Sequence, residues 1–310
     1  MTLDPMNVPT TSRRDFLAKA SLTAAALASR PSFALAQTSG FSDCPIAVFS
    51  KIYQVLKLDY QAAADLTAEA GLDGIDCPVR SGGEIDPTKV AEELPRYASA
   101  LAKRKLKIHL LTTGITSASS PHAEAVLRAA RALGIRYYRL GAVEPGKGQS
   151  AEAQAAEIRD RLMTLVPLNK DLGVCALFQN HSGSFGANLP GLVDVVKSFD
   201  PGQVGVAFDI GHALLVHGTG WSRHFEELKS HLKVAYVKDA RHGGSWVPFG
   251  EGDIPASGYF HRLKELGYHA PFSLHIEFDW DRQGREPTRQ NLLKALRDSR
   301  RVLGRWLQEA

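Results

Sequence analysis

The sequence has little cysteine. Three cysteines stand among its 310 residues, Cys44, Cys77 and Cys175, and no CxxC spacing occurs. An odd number of scattered cysteines argues against both a disulfide framework and a zinc-thiolate site. We therefore expect buried thiols, with a Cys44–Cys77 bridge as the alternative if the chain works in an oxidising compartment.

Three common motifs are also missing. No GxGxxG follows the first apolar run and GxxxxGK[ST] occurs nowhere, which argues against dinucleotide-binding and P-loop folds. The segment "HSGSFG" (181–186) is not a GxSxG nucleophile elbow, which argues against a serine hydrolase.

Long apolar runs and clusters of one charge are absent as well. The net charge is +4, and the basic residues are scattered rather than gathered in a stripe. We therefore expect no nucleic-acid partner. No run is long and apolar enough to cross a bilayer, so no membrane span is predicted.

The first 36 residues differ from the rest. The segment "SRRDFLAKA" (12–20) places two arginines before the mild apolar run "SLTAAALA", and "ALAQ" offers a cleavage site after Ala36. This order predicts a twin-arginine signal peptide over residues 1–36 and an exported protein, periplasmic or extracellular. The alternative is an amphipathic N-terminal helix that stays on the protein.

Beyond residue 40, short apolar runs alternate with longer segments of helical periodicity. The runs are apolar on both faces, as buried parallel strands are, and several helical segments end in glycine. Eight such units in about 270 residues predict an α/β fold, a single (β/α)8 TIM barrel over residues 41–310, with an open doubly wound sheet as the runner-up. The runs are 45–50, 74–79, 106–113, 137–142, 174–179, 204–209, 234–239 and 272–277.

Polar residues collect at the ends of these runs. In a barrel of this kind the functional groups lie at the carboxyl ends of the strands, so we expect these residues to converge at one open end. They are Arg80, Thr112, Thr113, Gln179, Asn180, His181, Asp209, His212, Lys238, Asp239, Arg241, His242, His275 and Glu277.

Six segments near these ends carry a resemblance to a known family. They are "GLDGIDCPVR", "FQNHSG", "FDIGHA", "VKDARH", "VPFGEGDI" and "SLHIEFD". In order and spacing they resemble the xylose isomerase-like TIM-barrel superfamily, the sugar phosphate isomerase/epimerase family. The resemblance covers nearly the whole mature chain and implies a small-molecule sugar substrate.

Many members of that superfamily hold a divalent metal with two glutamates, an aspartate and a histidine. Asp209 and Glu277 match two of these positions, but Gln179 replaces the other glutamate and Tyr236 replaces the histidine. An amide brings no charge to the site, and a protonated tyrosine is a poor ligand. The resemblance leaves two alternatives, which are no metal or a Mn, Mg or Zn site formed by Asp209, Glu277, Gln179 and His275, with His181 as the other histidine that could substitute.

The same replacement bears on catalysis. Epimerases of the superfamily use their two glutamates as opposed acid and base, and the amide of Gln179 cannot take that part. The sequence therefore fits one-base proton transfer, with Glu277 as the base and His212 as the second proton-transfer group. Lys238 is the third catalytic candidate, because a fixed cation stabilises a developing enediolate. Its alternative is a structural ion pair at the barrel rim, with Asp239 or Asp209 as the partner.

Five residues are candidate substrate contacts. Gln179 and His181 are predicted to hydrogen-bond the substrate, and Arg80 is predicted to bind a carboxylate or phosphate. Trp246 is predicted to stack on a sugar ring, and Arg241 belongs to the same set. The alternative for Gln179 and His181 is a polar loop without a binding role. The alternative for Arg80 is a side chain that covers the barrel rim, and the alternative for Trp246 is a side chain that anchors its own loop.

The sequence thus predicts an exported sugar isomerase or epimerase-like enzyme that removes a proton alpha to a carbonyl of a sugar or keto-sugar. One alternative is an inactive barrel that binds carbohydrate. Another is a lyase or hydrolase for oxidised (3-keto) glycosides. A related DNA-repair endonuclease is disfavoured, since the metal cluster is incomplete and a basic face is lacking. A homo-oligomer is left open.

Overall fold

A computed structural model of the chain describes residues 40–146, 148–281 and 287–310. The predicted leader, residues 1–36, lies outside this part of the chain. Among the helices described, none combines the length and apolar character that a bilayer crossing needs. All three cysteines are buried free thiols, as predicted.

Eight parallel strands close into a barrel, because β1 pairs with β2 on one side and with β10 on the other. This confirms the predicted barrel and excludes the open sheet. The barrel strands are β1 Ile46–Phe49, β2 Gly74–Val79, β3 Lys107–Thr113, β4 Tyr137–Arg139, β5 Cys175–Gln179, β6 Val204–Asp209, β7 Leu232–Val237 and β10 Phe272–Leu274. A separate antiparallel ribbon is formed by β8 Asp239–Ala240 and β9 Trp246–Val247.

Helices follow the strands around the barrel. The α-helices are α1 Tyr60–Glu69, α2 Val90–Ala102, α3 Ala123–Ala132, α4 Ala151–Leu172, α5 Leu189–Val196, α6 Ile210–His217, α7 Trp221–Leu228, α8 Ala256–Glu265 and α9 Arg289–Glu309. Short 3-10 helices span Ser50–Leu56, Pro87–Lys89, Phe185–Ala187, Gly218–Gly220 and Lys229–His231.

Two elements differ from the expectation. The alternation of apolar runs and helical segments predicts one helix after the sixth strand, but the chain forms two, α6 and α7. The first begins at the strand end because the Asp209 carboxylate accepts the backbone N–H of His212 and caps it. The eighth barrel strand ends at Leu274, three residues earlier than expected.

The core has two layers, and the alternation along each strand assigns residues to them. The larger layer, between barrel and helices, holds residues such as Val206 and Phe208 of β6. A small cluster fills the interior with Leu110, Cys175, Leu177, Ala207, Val234 and Tyr236. Residues two positions further along these strands therefore also lie on the interior side, at the carboxyl end.

Candidate active site

The alternation brings polar side chains together at the carboxyl end of the barrel. On the interior side it places Asp76, Thr112, Arg139, Gln179, Asp209, Lys238, His275 and Glu277. All except Glu277 are buried. The group contains Thr112, Gln179, Asp209, Lys238, His275 and Glu277 of the expected set, and its contacts define what it can do.

Asp209 is the last residue of β6 and is fully buried. Its Oδ1 accepts the backbone N–H of His212 at 3.1 Å. Its Oδ2 accepts a hydrogen bond from Gln179 Nε2 at 3.0 Å and lies 3.1 Å from Lys238 Nζ. Burial raises the pKa of this carboxyl, but Lys238 and His212 lower it by more, so the pKa lies well below its usual range and Asp209 stays ionised.

Lys238 follows β7 and is buried. Its Nζ lies 3.1 Å from Asp209 Oδ2, 3.0 Å from His212 Nε2 and 3.9 Å from Glu277 Oε1. The ammonium therefore lies between the two carboxylates that the sequence predicted as metal ligands. Since an ammonium has three hydrogens and two are taken by Asp209 and His212, one hydrogen is left for another acceptor.

Asp239, the neighbour of Lys238, has a different part. Its Oδ2 accepts the backbone N–H groups of Gly250 at 2.8 Å and Gly252 at 3.0 Å. The two residues of the "KD" pair therefore have different roles. Lys238 points into the barrel, whereas Asp239 holds the loop at 250–252 against the ribbon.

His212 lies in the first turn of α6 and both of its ring nitrogens are engaged. Nδ1 is 2.9 Å from Ser182 Oγ, and Nε2 is 3.0 Å from Lys238 Nζ. An ammonium only donates, so Nε2 accepts, and the neutral ring then carries its hydrogen on Nδ1, toward Ser182 Oγ. The backbone N–H of Ser182 also points at Nδ1, but at the longer distance of 3.3 Å, and that contact would need the opposite tautomer. Burial lowers the pKa of His212 to about 3, which keeps the ring neutral. This geometry orients Lys238.

Glu277 lies three residues beyond β10, and 34% of its side-chain surface is exposed. Its Oε1 is 3.9 Å from both Lys238 Nζ and His275 Nδ1. Burial raises its pKa, but His275 and Lys238 outweigh that effect and lower the pKa to about 2. Glu277 is therefore an ionised carboxylate that a ligand in the barrel mouth can reach.

Asp76 and Arg139 were missed by the sequence analysis. Asp76 on β2 is fully buried and accepts hydrogen bonds from Thr112 Oγ1 at 2.7 Å and Ser273 Oγ at 3.1 Å. Arg139 on β4 donates from Nη1 to Gln179 Oε1 at 2.6 Å. The signal was present, because a charge inside an apolar run is costly unless it is paired or used.

The Gln179 amide connects Arg139 with Asp209. Its Oε1 accepts from Arg139, and its Nε2 donates to Asp209. An amide makes both contacts at once, whereas a carboxylate at this position would place a second negative charge beside Asp209 Oδ2. The replacement of the family glutamate thus fits a site that already holds its own cation.

Several buried polar atoms in this region have no hydrogen-bond partner in the described part of the chain. They are Arg139 Nε, Tyr236 Oη and both ring nitrogens of His275. Buried polar groups in native proteins are nearly always paired, and leaving one unpaired is costly. A ligand rich in hydroxyl and carbonyl groups is the type that satisfies such atoms.

The predicted substrate contacts surround the same mouth. The Trp246 ring, presented by β9, has its centroid 4.8 Å from Lys238 Nζ and 5.0 Å from the His212 ring. The His181 ring lies 4.0 Å from the His212 ring. Arg80 is half-buried with its guanidinium 5.9 Å from the Phe49 ring.

Arg241 lies further out. It is exposed, donates from Nε to the Glu251 carbonyl at 3.2 Å, and lines a groove beside Trp246. It therefore belongs to the approach to the mouth, whereas Trp246 and His181 lie directly against the central cluster.

A further carboxyl, that of the half-buried Glu84, lies beside the site. Ser50 Oγ contacts Glu84 Oε2 and also the Asp76 carbonyl at 3.1 Å, and Tyr97 Oη lies 3.4 Å from Glu84 Oε1. Because the Ser50 hydroxyl has one hydrogen, both contacts are satisfied when Glu84 is protonated and donates. Burial raises the pKa of Glu84 to about 8, in agreement with a neutral acid.

The chain belongs to the xylose isomerase-like TIM barrel family, whose model matches residues 64–303. One curated relative is an uncharacterised protein, MJ1311, of Methanocaldococcus jannaschii, which is 26% identical over 121 residues. That match covers 36% of this chain and 40% of the relative, so the chain spans less than half the length of the relative it matches.

Solved structures share the fold at low identity. The IolI protein with a bound zinc atom is 15% identical, with a TM-score of 0.66 over 86% of this chain and 98% of that chain. The 3-keto-D-glucoside 4-epimerase YcjR of E. coli is 13% identical, with a TM-score of 0.64 over 86% of this chain and 100% of that chain. At these identities the likeness establishes the fold.

The residues present do not fit the divalent metal that the family implies. Asp209 Oδ2 is engaged by Lys238 and Gln179, and the Lys238 ammonium lies between Asp209 and Glu277. A cation at that position would meet the ammonium at close range, and like charges repel. No group of three or more His, Cys, Asp or Glu side chains in the described ranges is placed to hold a metal ion.

Proposed function

We propose that this protein is a sugar isomerase or epimerase-like enzyme that moves a proton next to a carbonyl of a sugar or keto-sugar, with Lys238 as its built-in cation. The observation that carries the proposal is the position of Lys238 Nζ, 3.1 Å from Asp209 Oδ2 and 3.9 Å from the partly exposed Glu277. The family and the neighbouring sugar epimerase fold support the same type of chemistry.

The first step places the substrate carbonyl oxygen on the remaining hydrogen of Lys238. Asp209 and His212 hold the ammonium from two sides, so it is oriented before the substrate arrives. A preorganised donor aimed at an oxygen where negative charge develops is among the strongest contributions to catalysis. Lys238 thus stabilises the enediolate.

Glu277 removes the proton in the second step. The C–H electron pair moves into the new carbon–carbon double bond, and the carbonyl oxygen gains the negative charge. If Glu277 returns the proton to the former carbonyl carbon, and the hydroxyl proton on the deprotonated carbon passes to the enediolate oxygen, that hydroxyl becomes the new carbonyl and the product is the isomer. If solvent exchanges the proton first, deuterium from D₂O enters the sugar. Gln179 takes no proton, so the route has one base.

The low pKa of free Glu277, about 2, makes it a weak base before the substrate binds. A sugar that covers its exposed third removes water from the carboxylate, and burial raises the pKa of a carboxyl. The Lys238 hydrogen is taken by the substrate oxygen at the same time. Substrate binding therefore strengthens the base.

Export is part of the same proposal. The arginine pair, apolar run and small-residue site of residues 1–36 support a twin-arginine leader and a periplasmic or extracellular location. The expected partner is a small sugar that reaches this compartment.

The test is a solvent-proton exchange assay in D₂O with a panel of aldoses, ketoses and 3-keto-sugars, read by NMR. We expect exchange at the carbon next to the carbonyl, reduced by roughly 10²–10⁴-fold in Glu277→Gln. Glu309→Gln at the end of α9 is the matched control and should leave the rate unchanged. Absence of exchange with every sugar, combined with measurable sugar binding, would favour the carbohydrate-binding alternative.

A further inference from the structure

Two connected grooves run outward from the mouth. The inner groove, about 300 Å³, lies beside Trp246 and Arg241. The outer groove, about 480 Å³, lies between residues 248–251, residues 278–281 and α9. Pro248, Glu251 and Phe278 line both, and Phe278 directly follows Glu277. A ligand bound at Glu277 can therefore extend along one continuous surface.

The outer groove has aromatic walls. Phe278 and Trp280 are partly buried and line it, and the buried Phe249 contributes a third ring. Phe249 is fixed in place by Trp306, whose ring lies 5.8 Å away in a stacked arrangement. Flat aromatic faces beside a few polar groups are the usual lining of a site for a ligand with apolar ring faces and polar edges.

The polar lining includes an acceptor without a partner. Asp281 Oδ1 accepts a hydrogen bond from Asn291 Nδ2 at 3.2 Å. Asp281 Oδ2 is buried and has no hydrogen-bond partner among the described residues. A buried carboxylate oxygen is costly when unpaired, and a ligand hydroxyl supplies the hydrogen that it lacks.

The charges of the described residues that line the outer groove disfavour a phosphorylated ligand. Asp281 and Asp298 both line it, and the ammonium of Lys294 is already paired with Asp298 on α9. A phosphate here would meet carboxylates and a lysine that is shared. A neutral ligand with hydroxyl groups fits better.

We propose that the outer groove is a second sugar subsite, so that the substrate is a neutral glycoside such as a disaccharide rather than a single sugar or a sugar phosphate. The reacting ring lies against Lys238 and Glu277, and the second unit lies on Trp280 with a hydroxyl on Asp281. The proposal rests on the proposed function for the identity of the reacting ring, while the second subsite has its own lining and its own test.

The first measurement is calorimetric binding of cellobiose, maltose, lactose and their 3-keto forms, compared with glucose, galactose and 3-keto-glucose. At least one disaccharide should bind the full-length protein roughly tenfold or more tightly than its matched monosaccharide. If no disaccharide in the panel exceeds its monosaccharide, the second subsite is overturned.

The second measurement repeats this with variants. Trp280→Ala and Asp281→Asn should each remove most of the disaccharide advantage while the monosaccharide Kd stays the same, and Trp280→Phe should keep it. Met163→Ala, an exposed apolar position on α4, is the control for a lost large side chain. If Trp280→Ala and Asp281→Asn weakened disaccharide and monosaccharide binding equally, the second subsite would be overturned. If Trp280→Ala does not fold, the comparison of Trp280→Phe with Asp281→Asn still tests the subsite.

The two proposals fail in different ways. A protein that shows the Trp280-dependent disaccharide advantage but exchanges no proton with any sugar retains the subsite and loses the proposed reaction. A protein that exchanges protons of a monosaccharide at full rate and shows no advantage for any disaccharide retains the reaction and loses the subsite.

Discussion

Lys238 Nζ lies 3.1 Å from Asp209 Oδ2, and both side chains are almost completely removed from water. This buried pair is the centre of the site. Its two members come from the ends of neighbouring strands β6 and β7, and Gln179, His212 and Glu277 surround it. Substitutions can separate the structural role of the pair from its proposed catalytic role.

Lys238→Met should destabilise the protein strongly. The change leaves Asp209 charged and buried without its cation, and breaking one side of such a pair typically costs about 3–5 kcal/mol. Urea denaturation measures the free energy of unfolding. The double variant Lys238→Met with Asp209→Asn should recover much of the loss, because no lone charge remains.

Recovery of stability should not bring back activity. The double variant is expected to fold and to show no proton exchange, since the donor for the enediolate oxygen is gone. A double variant as unstable as the single variant would contradict the pairing, and an active double variant would contradict the catalytic part of Lys238.

Activity and stability should not depend on a divalent metal. Dialysis against EDTA followed by proton exchange and thermal unfolding should give unchanged rates and an unchanged Tm, because the Lys238 ammonium lies between the two carboxylates. Addition of Zn²⁺, Mn²⁺ or Mg²⁺ at stoichiometric concentration should likewise change neither. If EDTA lowered the proton-exchange rate and one of these ions restored it, the result would show that a metal ion displaces the Lys238 ammonium.

Gly211→Ala should reduce activity more than stability. A Cβ at this position would lie 2.7 Å from Lys238 Cγ and 3.1 Å from Trp246 Cζ3, so Lys238 must move away from its partners. We expect roughly a tenfold or larger fall in exchange rate, because small displacements of a positioned group are costly. Gly220→Ala is the control, since its Cβ would contact nothing within 4 Å. Equal rates for the two variants would be inconsistent with this packing.

Glu84 should make stability fall with rising pH. Its pKa is raised from 4.5 to about 8 in the folded chain, so between these values the unfolded chain has lost a proton that the folded chain keeps. The free energy of unfolding contributed by Glu84 is therefore complete below about pH 4.5 and lost by about pH 8, a fall of up to about 5 kcal/mol.

Glu84→Gln tests this directly by denaturation at pH 5 and pH 8. The amide stays neutral and can still donate to Ser50, so the decline should be much smaller than in the native protein. Glu92→Gln, at an exposed position on α2, should leave the decline intact. Identical pH dependence in all three proteins would argue that Glu84 is ionised throughout.

The barrel and the location of its mouth could be predicted from the sequence. Apolar runs at strand length, each ending in polar residues, led to the eight strands and to Asp209, Lys238 and Glu277. Asp76 and Arg139 were within reach of the same reasoning, because each lies inside an apolar run on the side of the strand that faces the interior. Because every second position of such a run faces the interior, counting positions along each run would have placed both residues in the predicted site.

The partner of Lys238 was beyond sequence reasoning. The choice between Asp209 and Asp239 depends on the opposite directions in which the Lys238 and Asp239 side chains project after β7, on the reach of the lysine stem, and on the absence of a side chain at Gly211, which leaves room for that stem. The extra helix α6 was not predicted for a related reason, because its apolar sequence is equally compatible with a loop that follows a strand. The grooves depend on loops 248–251 and 278–281, whose paths follow from tertiary packing.

The charge of Lys238 is attached to the polypeptide by a covalent stem. Unlike a bound ion, it cannot dissociate on dilution, be exchanged for a competitor or be withheld by scarcity, so the chain acquires it during translation. The same attachment fixes its size and hardness. In the proposed reaction, adjustment of the field at the reacting oxygen is therefore left to Asp209 and His212, which hold the ammonium, and to Gln179, which holds Asp209.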